Sequence, residues 1–264
     1  MSIPKYLREK HISAVSTHKN ADADTMFSAL VVSYYHRIPI ITHNPTPLAM
    51  LINDMTNINT EIVDFADSII VVDENRRGNL PVIPSHVDLI IDHHKYGKDS
   101  ISADNLIILP DAPTTSYILK QLGYPVDICP LCYALTIADD TAFLTIAPEI
   151  PSITKLWEEE FENALIKAKV TKRDLIDIYD HHPYYDIRIY KGYKIGQLRT
   201  YGNIKIEDIT DDLDNADVII QGVISKNKTY VYTPNKVFKS IGGTYHRILS
   251  RKRDIYKMID EIIN

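Results

Sequence analysis

The chain has 264 residues, 45% hydrophobic and 24% charged, enough for one large domain or two smaller ones. No stretch approaches the ~18 uninterrupted apolar residues of a membrane span, and the N-terminus lacks the apolar run of a signal peptide. We therefore expect a cytoplasmic protein without a membrane partner. The net charge of −6 argues against coating long nucleic acids, which requires neutralising many phosphates, and a small or terminal phosphorylated ligand fits better.

The first half of the chain alternates short β-branched apolar runs with segments of helical periodicity. This alternation predicts an α/β fold, in which a mainly parallel sheet carries helices on both faces. We assign it to a first domain, residues 1–150. The predicted strands are 11–16, 38–42, 68–73, 87–92 and 106–109, and the predicted helices are 25–37, 115–124 and 130–144.

The pattern changes after residue 150. Two charged helical stretches, 152–170 and 171–182, predict a helical connector over 151–184. Short strand-like segments at 186–198 and 217–233, with a last helix at 251–264, predict a smaller α/β domain over 185–264.

Three of the predicted strands end in side chains that bind hard metal ions. Because the carboxyl ends of parallel strands meet at one edge of a sheet, we expect these side chains to converge. A further acid, Asp140, lies in an otherwise apolar helical pattern, and a buried acid needs a partner such as a metal ion. The metal-binding residues at or just beyond the ends of the three strands are His18, Asp22, Asp24, Asp73, Asp92, His93 and His94.

The types of side chain indicate which metal they bind. Imidazole with several carboxylates suits manganese or a similar divalent ion, because no thiolate is present to select a softer metal. There are also more anions than one magnesium ion usually recruits. So many carboxylates would repel one another without cations between them, so we expect two ions.

These motifs, in this order, resemble those of the DHH phosphoesterase superfamily. The superfamily includes RecJ-type exonucleases, nano-RNases, cyclic-dinucleotide phosphodiesterases and type II inorganic pyrophosphatases. Its His-x-Asn-x-Asp-x-Asp motif is similar to residues 18–24, its strand-end aspartate to Asp73, its Asp-His-His to residues 92–94 and its Asp-Thr to residues 140–141. The resemblance covers roughly the first half of the chain, and four ordered motifs are far more specific than one.

The resemblance implies a role for each residue and a cofactor of two Mn²⁺ ions, with Mg²⁺ or Co²⁺ as substitutes. It also implies that a water activated by the two ions attacks phosphorus. The implied ligands are His18 and Asp22 for one ion, Asp24, His93 and Asp140 for the other, and Asp73 as the bridge. The implied catalytic residues are Asp73, Asp92, which supports the site, and His94, which contacts the phosphate or assists proton transfer.

The C-terminal segment resembles the substrate-binding parts of the superfamily. Family members that cut nucleotides carry a glycine-rich loop ending in histidine, and residues 240–247 are similar to it, although their histidine is spaced differently from the glycines. The basic run 250–253 resembles the Ser-Arg-Lys phosphate clamp of type II pyrophosphatases. The implied substrate-binding residues are Gly242, Gly243, His246, Arg247, Arg251 and Lys252.

The sequence therefore favours manganese-dependent hydrolysis of phosphodiester bonds. The expected substrate, and partner, is a short single-stranded oligonucleotide or a small phosphorylated nucleotide. A type II inorganic pyrophosphatase, a RecJ-like exonuclease and a non-catalytic partner of replication or repair machinery stay open as alternatives, as does a homodimer.

Two further patterns favour a structural role. A second Asp-His-His, residues 180–182, follows a helical pattern and precedes proline, which is typical of a helix end. Cys129 and Cys132 open an apolar helix with no second cysteine pair, which favours buried core thiols over a redox or zinc site.

Overall fold

A computed structural model describes residues 12–144, 150–182, 184–202, 216–226 and 228–232. The chain divides into two compact units, Met1–Leu175 and Ile176–Asn264. The three-part division with a connector over 151–184 stays a prediction. Each unit contains a sheet of its own.

The first unit is built on a five-stranded sheet in which all strand pairs are parallel. The strands are β1 (Ala14–Ser16), β2 (Ile40–Ile41), β3 (Ser68–Val72), β4 (His86–Asp92) and β5 (Asn105–Ile108), in the order β2-β1-β3-β4-β5. Ile69, Ile70, Val71 and Val72 are completely buried, as expected for a parallel strand covered on both faces. The predicted α/β fold is confirmed.

The described residues contain six helices: α1 (Ala23–His36), α2 (Pro47–Thr56), α3 (Thr115–Gln121), α4 (Pro130–Asp140), α5 (Pro151–Ala168) and α6 (Lys172–His181). The sequence reading missed α2. A signal was present, because Thr46 caps the helix by accepting a hydrogen bond from the Ala49 amide, and Pro47 occupies the first turn. No helix in the described part of the chain combines the length and apolarity needed to cross a bilayer.

The ends of α1 and α4 bear on the functional site. Asp22 caps α1 by accepting a hydrogen bond from the Thr25 amide, so the first turn of α1 lies at the carboxyl edge of the sheet. α4 was predicted to continue to residue 144 but ends at Asp140. The chain cannot continue as a right-handed helix because residues 142–144 adopt positive φ angles.

Cys129 and Cys132 lie at the start of α4, where both are buried and joined in a disulfide. The predicted burial is confirmed, and the prediction of free thiols is wrong. Cys129 caps the helix, which brings its sulfur to the amide of Cys132 three residues later. The same turn places the two side chains within bonding reach.

The second unit contains a four-stranded sheet of β6 (Tyr184–Tyr190), β7 (Tyr193–Thr200), β8 (Val218–Val223) and β9 (Lys228–Tyr232), in chain order. β7 and β8 pair in parallel, and the other two pairs are antiparallel. This confirms the predicted smaller α/β region. The predicted last helix, 251–264, lies outside the described residues.

The second Asp-His-His is a helix end, as predicted. The Asp180 carboxylate accepts hydrogen bonds from the amides of Tyr201 and Gly202, which follow β7. His181 and His182 each place Nδ1 near a carbonyl oxygen of the preceding helical turn. Asp180 therefore connects the end of α6 to the residues that follow β7.

Candidate metal centre

Four segments far apart in sequence meet at the carboxyl edge of the five-stranded sheet. β1 leads into His18, Asp73 follows β3, and β4 ends at Asp92. α1 begins at this edge with its cap Asp22, and α4, which packs on α1, ends at Asp140. The convergence expected from the strand ends is therefore present.

Nitrogen and oxygen atoms at this edge form three groups, and within each group the atoms lie within 4.8 Å of one another. Asp73 and His93 each belong to two groups, so the groups form one continuous cluster. The residues that the sequence assigned to two metal ions are brought together, while their roles as ligands stay predictions. The groups are His18, Asp22 and Asp73; Asp24, His93 and Asp140; and Asp73, His93 and His94.

His93 is at the centre of the cluster. Its Nε2 lies 3.3 Å from Asp73 Oδ1 and 3.5 Å from Asp140 Oδ2. Its other ring nitrogen, Nδ1, lies 3.3 Å from the carbonyl oxygen of Ala112. Because a carbonyl can only accept, Nδ1 carries the proton and Nε2 is left to face the carboxylates, as in metal-binding histidines.

Asp73 is held by the backbone on one side and by hydroxyls on the other. Its φ angle of +59° lies in the left-handed region, which aspartate tolerates better than most residues, and its amide still donates to the Ile91 carbonyl at 2.9 Å. Its carboxylate accepts hydrogen bonds from Thr25 Oγ1 at 2.6 Å and Thr115 Oγ1 at 3.0 Å. Both threonines were missed in the sequence.

Asp24 is completely buried and is held by the start of α3. Its two oxygens accept hydrogen bonds from the amides of Thr115, at 2.6 Å, and Ser116, at 3.0 Å. Amides in the first turn of a helix have no partner within the helix, so they are free to bind a carboxylate. The hydroxyl of Thr114 caps α3, a signal in the sequence that could have located this helix start.

Asp92 points toward His94 and a side chain that the sequence reading missed, Asn75. Its Oδ1 accepts hydrogen bonds from the His94 amide at 2.9 Å and from His94 Nδ1 at 2.8 Å. Its Oδ2 accepts one from Asn75 Nδ2 at 2.6 Å. These contacts hold the His94 ring in place, and the supporting role of Asp92 in catalysis stays a prediction.

Two acids in the cluster have strongly raised pKa values. Burial raises the pKa of Asp24 to about 7, and the charge of Asp73 acts in the same direction. Burial, followed by the charges of Asp24 and Asp22, raises the pKa of Asp140 well above its ordinary range. Without a cation, these carboxyl groups therefore hold protons at a pH where exposed ones do not.

Two imidazoles in the cluster also have raised pKa values, although burial acts to lower the pKa of a histidine. Burial by itself would lower the pKa of His18, but its contact with Asp22 outweighs burial and raises the value to about 9. For His93, burial is likewise outweighed, here by the contact with Asp73, and the pKa is again about 9. In both cases a nearby carboxylate retains a proton on the ring that a metal ion would displace.

The cluster fits a divalent metal. Among the described residues, no group donates a hydrogen bond to the buried Oδ2 of Asp140, and such an oxygen is costly unless a cation compensates it. The donors are carboxylate oxygens and imidazole nitrogens, a set that binds divalent ions. The predicted metal ligands could therefore hold metal at this edge.

The predicted substrate-binding residues cannot be placed in the same way. Gly242, Gly243, His246, Arg247, Arg251 and Lys252 all lie outside the described residues. Their roles stay predictions.

Residues 13–138 match the sequence profile described as "DHH family, N-terminal domain". These residues form a DHH-family domain. The matched range contains every predicted ligand except Asp140, which follows it by two residues. None of the curated proteins compared with this DHH chain by sequence matches it.

Two solved structures resemble this DHH protein. A Methanococcus jannaschii protein, provisionally assigned as a family II inorganic pyrophosphatase, is 16% identical with a TM-score of 0.58, covering 95% of this chain and 99% of the other. An exopolyphosphatase-related protein from Bacteroides fragilis is 14% identical with a TM-score of 0.41, covering 96% and 91%. At this identity, the first likeness shows a shared fold.

The family and the cluster agree on the class of chemistry. This DHH protein is a metal-dependent phosphoesterase, and its carboxylates and imidazoles form groups that could bind the metal.

Proposed function

We propose that this chain hydrolyses phosphodiester bonds in short single-stranded oligonucleotides or small phosphorylated nucleotides, with two Mn²⁺ ions as cofactor. The observation that carries the proposal is the position of Asp73, which groups with His18 and Asp22 on one side and with His93 on the other, while His93 in turn groups with Asp24 and Asp140. A carboxylate shared in this way can bridge two ions, the arrangement used for in-line displacement at phosphorus.

Manganese is the preferred ion because the donor set combines imidazole with several carboxylates, and Mg²⁺ or Co²⁺ would be substitutes. His18 and Asp22 would hold one ion, Asp24, His93 and Asp140 the other, with Asp73 between them. When bound, the ions supply Lewis acidity, a lowered pKa for water and compensation of charge on the phosphoryl oxygens.

His94 is the side chain best placed to act on the substrate. Its Nδ1 donates to Asp92, which leaves Nε2 free of that bond, and 52% of the side chain is exposed. A ring held this way can donate a hydrogen bond to a phosphate oxygen or transfer a proton to the leaving oxygen. Asp92 fixes the tautomer, as carboxylates beside catalytic histidines do.

Three other functions remain to be separated from this one by experiment. The name of the Methanococcus jannaschii structure makes inorganic pyrophosphate a second candidate substrate. A RecJ-like exonuclease would act on longer single strands. A non-catalytic partner of replication or repair machinery is less favoured, because a scaffold gains nothing from so much buried like charge.

The test is a panel of substrates assayed with Mn²⁺: pAp, dinucleotides, cyclic dinucleotides, short RNA, single-stranded DNA and pyrophosphate. We expect nucleoside monophosphates as products and the highest kcat/KM on a dinucleotide, short oligonucleotide or small nucleotide. Fastest turnover of pyrophosphate would replace the proposal with the pyrophosphatase. Absence of turnover on the whole panel, together with a stable protein complex, would favour the scaffold.

A further inference from the structure

Three loops at the carboxyl edge of the sheet each carry an exposed cation one to three residues along the chain from a predicted metal ligand or catalytic residue. Lys19 follows His18 on the loop after β1, Arg76 lies on the loop after β3, and Lys95 follows His94 on the loop after β4. All three side chains are exposed. We call these three residues the cationic rim.

The three loops are interlocked, so the rim is a built surface. Lys19 donates from its amide to the Asn79 carbonyl at 2.8 Å and from Nζ to the Gly78 carbonyl at 3.1 Å, which joins the first loop to the second. Arg76 forms an antiparallel bridge with Ser100, which joins the second loop to the third.

Two buried side chains hold the second loop in place. The Glu74 carboxylate accepts hydrogen bonds from the amides of Asn75 and Arg76 and from the side chain of Asn79. The Asn75 side chain donates to Asp92 at 2.6 Å and accepts from Ser100 Oγ at 2.7 Å. Arg76 therefore directly follows Asn75, which contacts Asp92, and Asp92 in turn holds the predicted catalytic residue His94.

The charge of the rim contrasts with that of the chain. The whole sequence carries a net charge of −6, while the exposed acids on these loops are Asp99 and Asp104, toward the far end of the third loop. Glu74 is buried, and its carboxylate accepts hydrogen bonds from groups of the same loop. Exposed cations on the loops that carry the cluster, in a chain with a net negative charge, favour a ligand with several negative charges.

We propose that the cationic rim binds the phosphates that flank the scissile one, so that this phosphoesterase prefers oligonucleotides longer than two nucleotides. The inference rests on the proposed function and deepens it by naming a feature of the substrate. Lys19, Arg76 and Lys95 contact the backbone without reading bases, since lysine and arginine neutralise phosphates irrespective of sequence. The site thus selects length and charge.

The test measures binding of fluorescent, phosphorothioate-linked oligonucleotides of two to six nucleotides to the Mn²⁺-loaded full-length protein, as a function of salt. For single strands, log K changes with log salt by about 0.7 per phosphate contact, so losing one contact at 0.1 M salt weakens binding about fivefold. Arg76→Gln and Lys95→Gln should each raise the Kd of the hexanucleotide by about this factor and flatten the salt slope by about 0.7. The dinucleotide should be bound with unchanged affinity.

Lys167→Gln is the matched control. Lys167 is exposed and pairs with Asp127, near the start of α4. The candidate ligand Asp140 is at the other end of α4, and the 11 residues of this helix span about 16 Å. The Lys167→Gln variant loses one positive charge, as the rim variants do, and should leave the Kd of the hexanucleotide and the salt slope unchanged. Equal weakening in the control, or equal effects on dinucleotide and hexanucleotide, would overturn the inference.

The outcomes separate this inference from the proposed function. Wild-type turnover of oligonucleotides together with unchanged hexanucleotide binding in both rim variants would remove the rim and retain the function. If the rim variants weaken hexanucleotide binding as expected but the wild type turns over no oligonucleotide, phosphate binding by the cationic rim would be supported and the proposed hydrolysis would be refuted.

Discussion

Two clusters of histidine and aspartate occupy opposite ends of the same strand. At the carboxyl end of β4, His93 faces Asp73 and Asp140, and at the amino end His86 faces Asp88 and Asp104. In both places the candidate ligand atoms lie within 4.8 Å of one another. Distance alone therefore does not distinguish them.

Burial distinguishes them. In the group of Asp24, His93 and Asp140, Asp24 is completely buried and the other two side chains are 16% and 12% exposed. In the amino-end cluster Asp88 is also buried, but the side chains of His86 and Asp104 are 48% and 44% exposed, so water screens these two groups. The first cluster also has a buried carboxylate oxygen that accepts no hydrogen bond within the described residues, on Asp140. A buried carboxylate oxygen without a hydrogen-bond donor is thus a better indicator of a metal site here than ligand spacing is.

The largest expected effect is on catalysis. Asp73→Asn removes the shared carboxylate while retaining its size, and metal-ion catalysis supplies several kcal/mol, so kcat with Mn²⁺ should fall by at least about 10³-fold. Asp104→Asn removes a carboxylate from the amino-end cluster and should leave kcat within about twofold of wild type. Comparable losses in both variants would erase the distinction between the clusters.

The second prediction concerns metal removal. Ligands that bind only the folded state stabilise it by RT ln(1 + [L]/Kd), about 2.7 kcal/mol at 100 times Kd. Chelation should therefore lower the Tm of wild type, and His86→Gln should show the same decrease. A metal-dependent Tm shift that disappears in His86→Gln would place the bound ion at the wrong end of the strand.

The third prediction concerns a hydroxyl that supports Asp73. Thr115→Val removes the hydrogen bond to Asp73 Oδ1 while preserving side-chain volume, and loss of such a partner costs about 10- to 100-fold in metal affinity. Thr115→Ser retains the hydroxyl and should restore most of the affinity. Calorimetric titration with Mn²⁺ measures both, and equal affinities in wild type and Thr115→Val would refute the supporting role.

The smallest expected effect is the pH dependence of the metal-free protein. The folded pKa of Asp24, about 7, exceeds the ordinary aspartate value of 3.8, and those of His18 and His93, about 9, exceed the ordinary histidine value of 6.5. Groups whose pKa is raised on folding stabilise the protein below the unfolded value and lose that contribution as pH rises through the folded value.

Tm measured in chelator should consequently fall between pH 6 and pH 9, by about 2–4 °C for each kcal/mol lost. With Mn²⁺ present the Tm difference between loaded and metal-free protein should widen with pH, because the ligands bind metal in their deprotonated forms. A metal-free Tm that rises over this range would contradict the assigned shifts.

The convergence of the candidate ligands could be predicted because strand ends and buried acids leave strong patterns. Asp73 and Asp92 close runs of apolar residues, and parallel pairing brings such ends together irrespective of loop length. Asp140 was recognisable because it interrupts an apolar helix. These features depend on local pattern and on one topological rule.

The supporting residues could not be predicted in the same way. Asn75 and Thr115 contact the site through packing of a loop and a helix start, and neither position is distinguished by periodicity or by residue type. The Cys129–Cys132 disulfide was also missed, because two buried cysteines at this spacing are compatible with thiols or with a bond. Contacts set by tertiary packing carry little local signal.

The most direct test of the account is the number of Mn²⁺ ions bound per chain, measured by equilibrium dialysis and elemental analysis for wild type, Asp73→Asn and Asp104→Asn. We expect two ions in wild type and in Asp104→Asn, and fewer than two tightly bound ions in Asp73→Asn, because one carboxylate serves both positions. Two tightly bound ions in Asp73→Asn would contradict the shared-ligand centre.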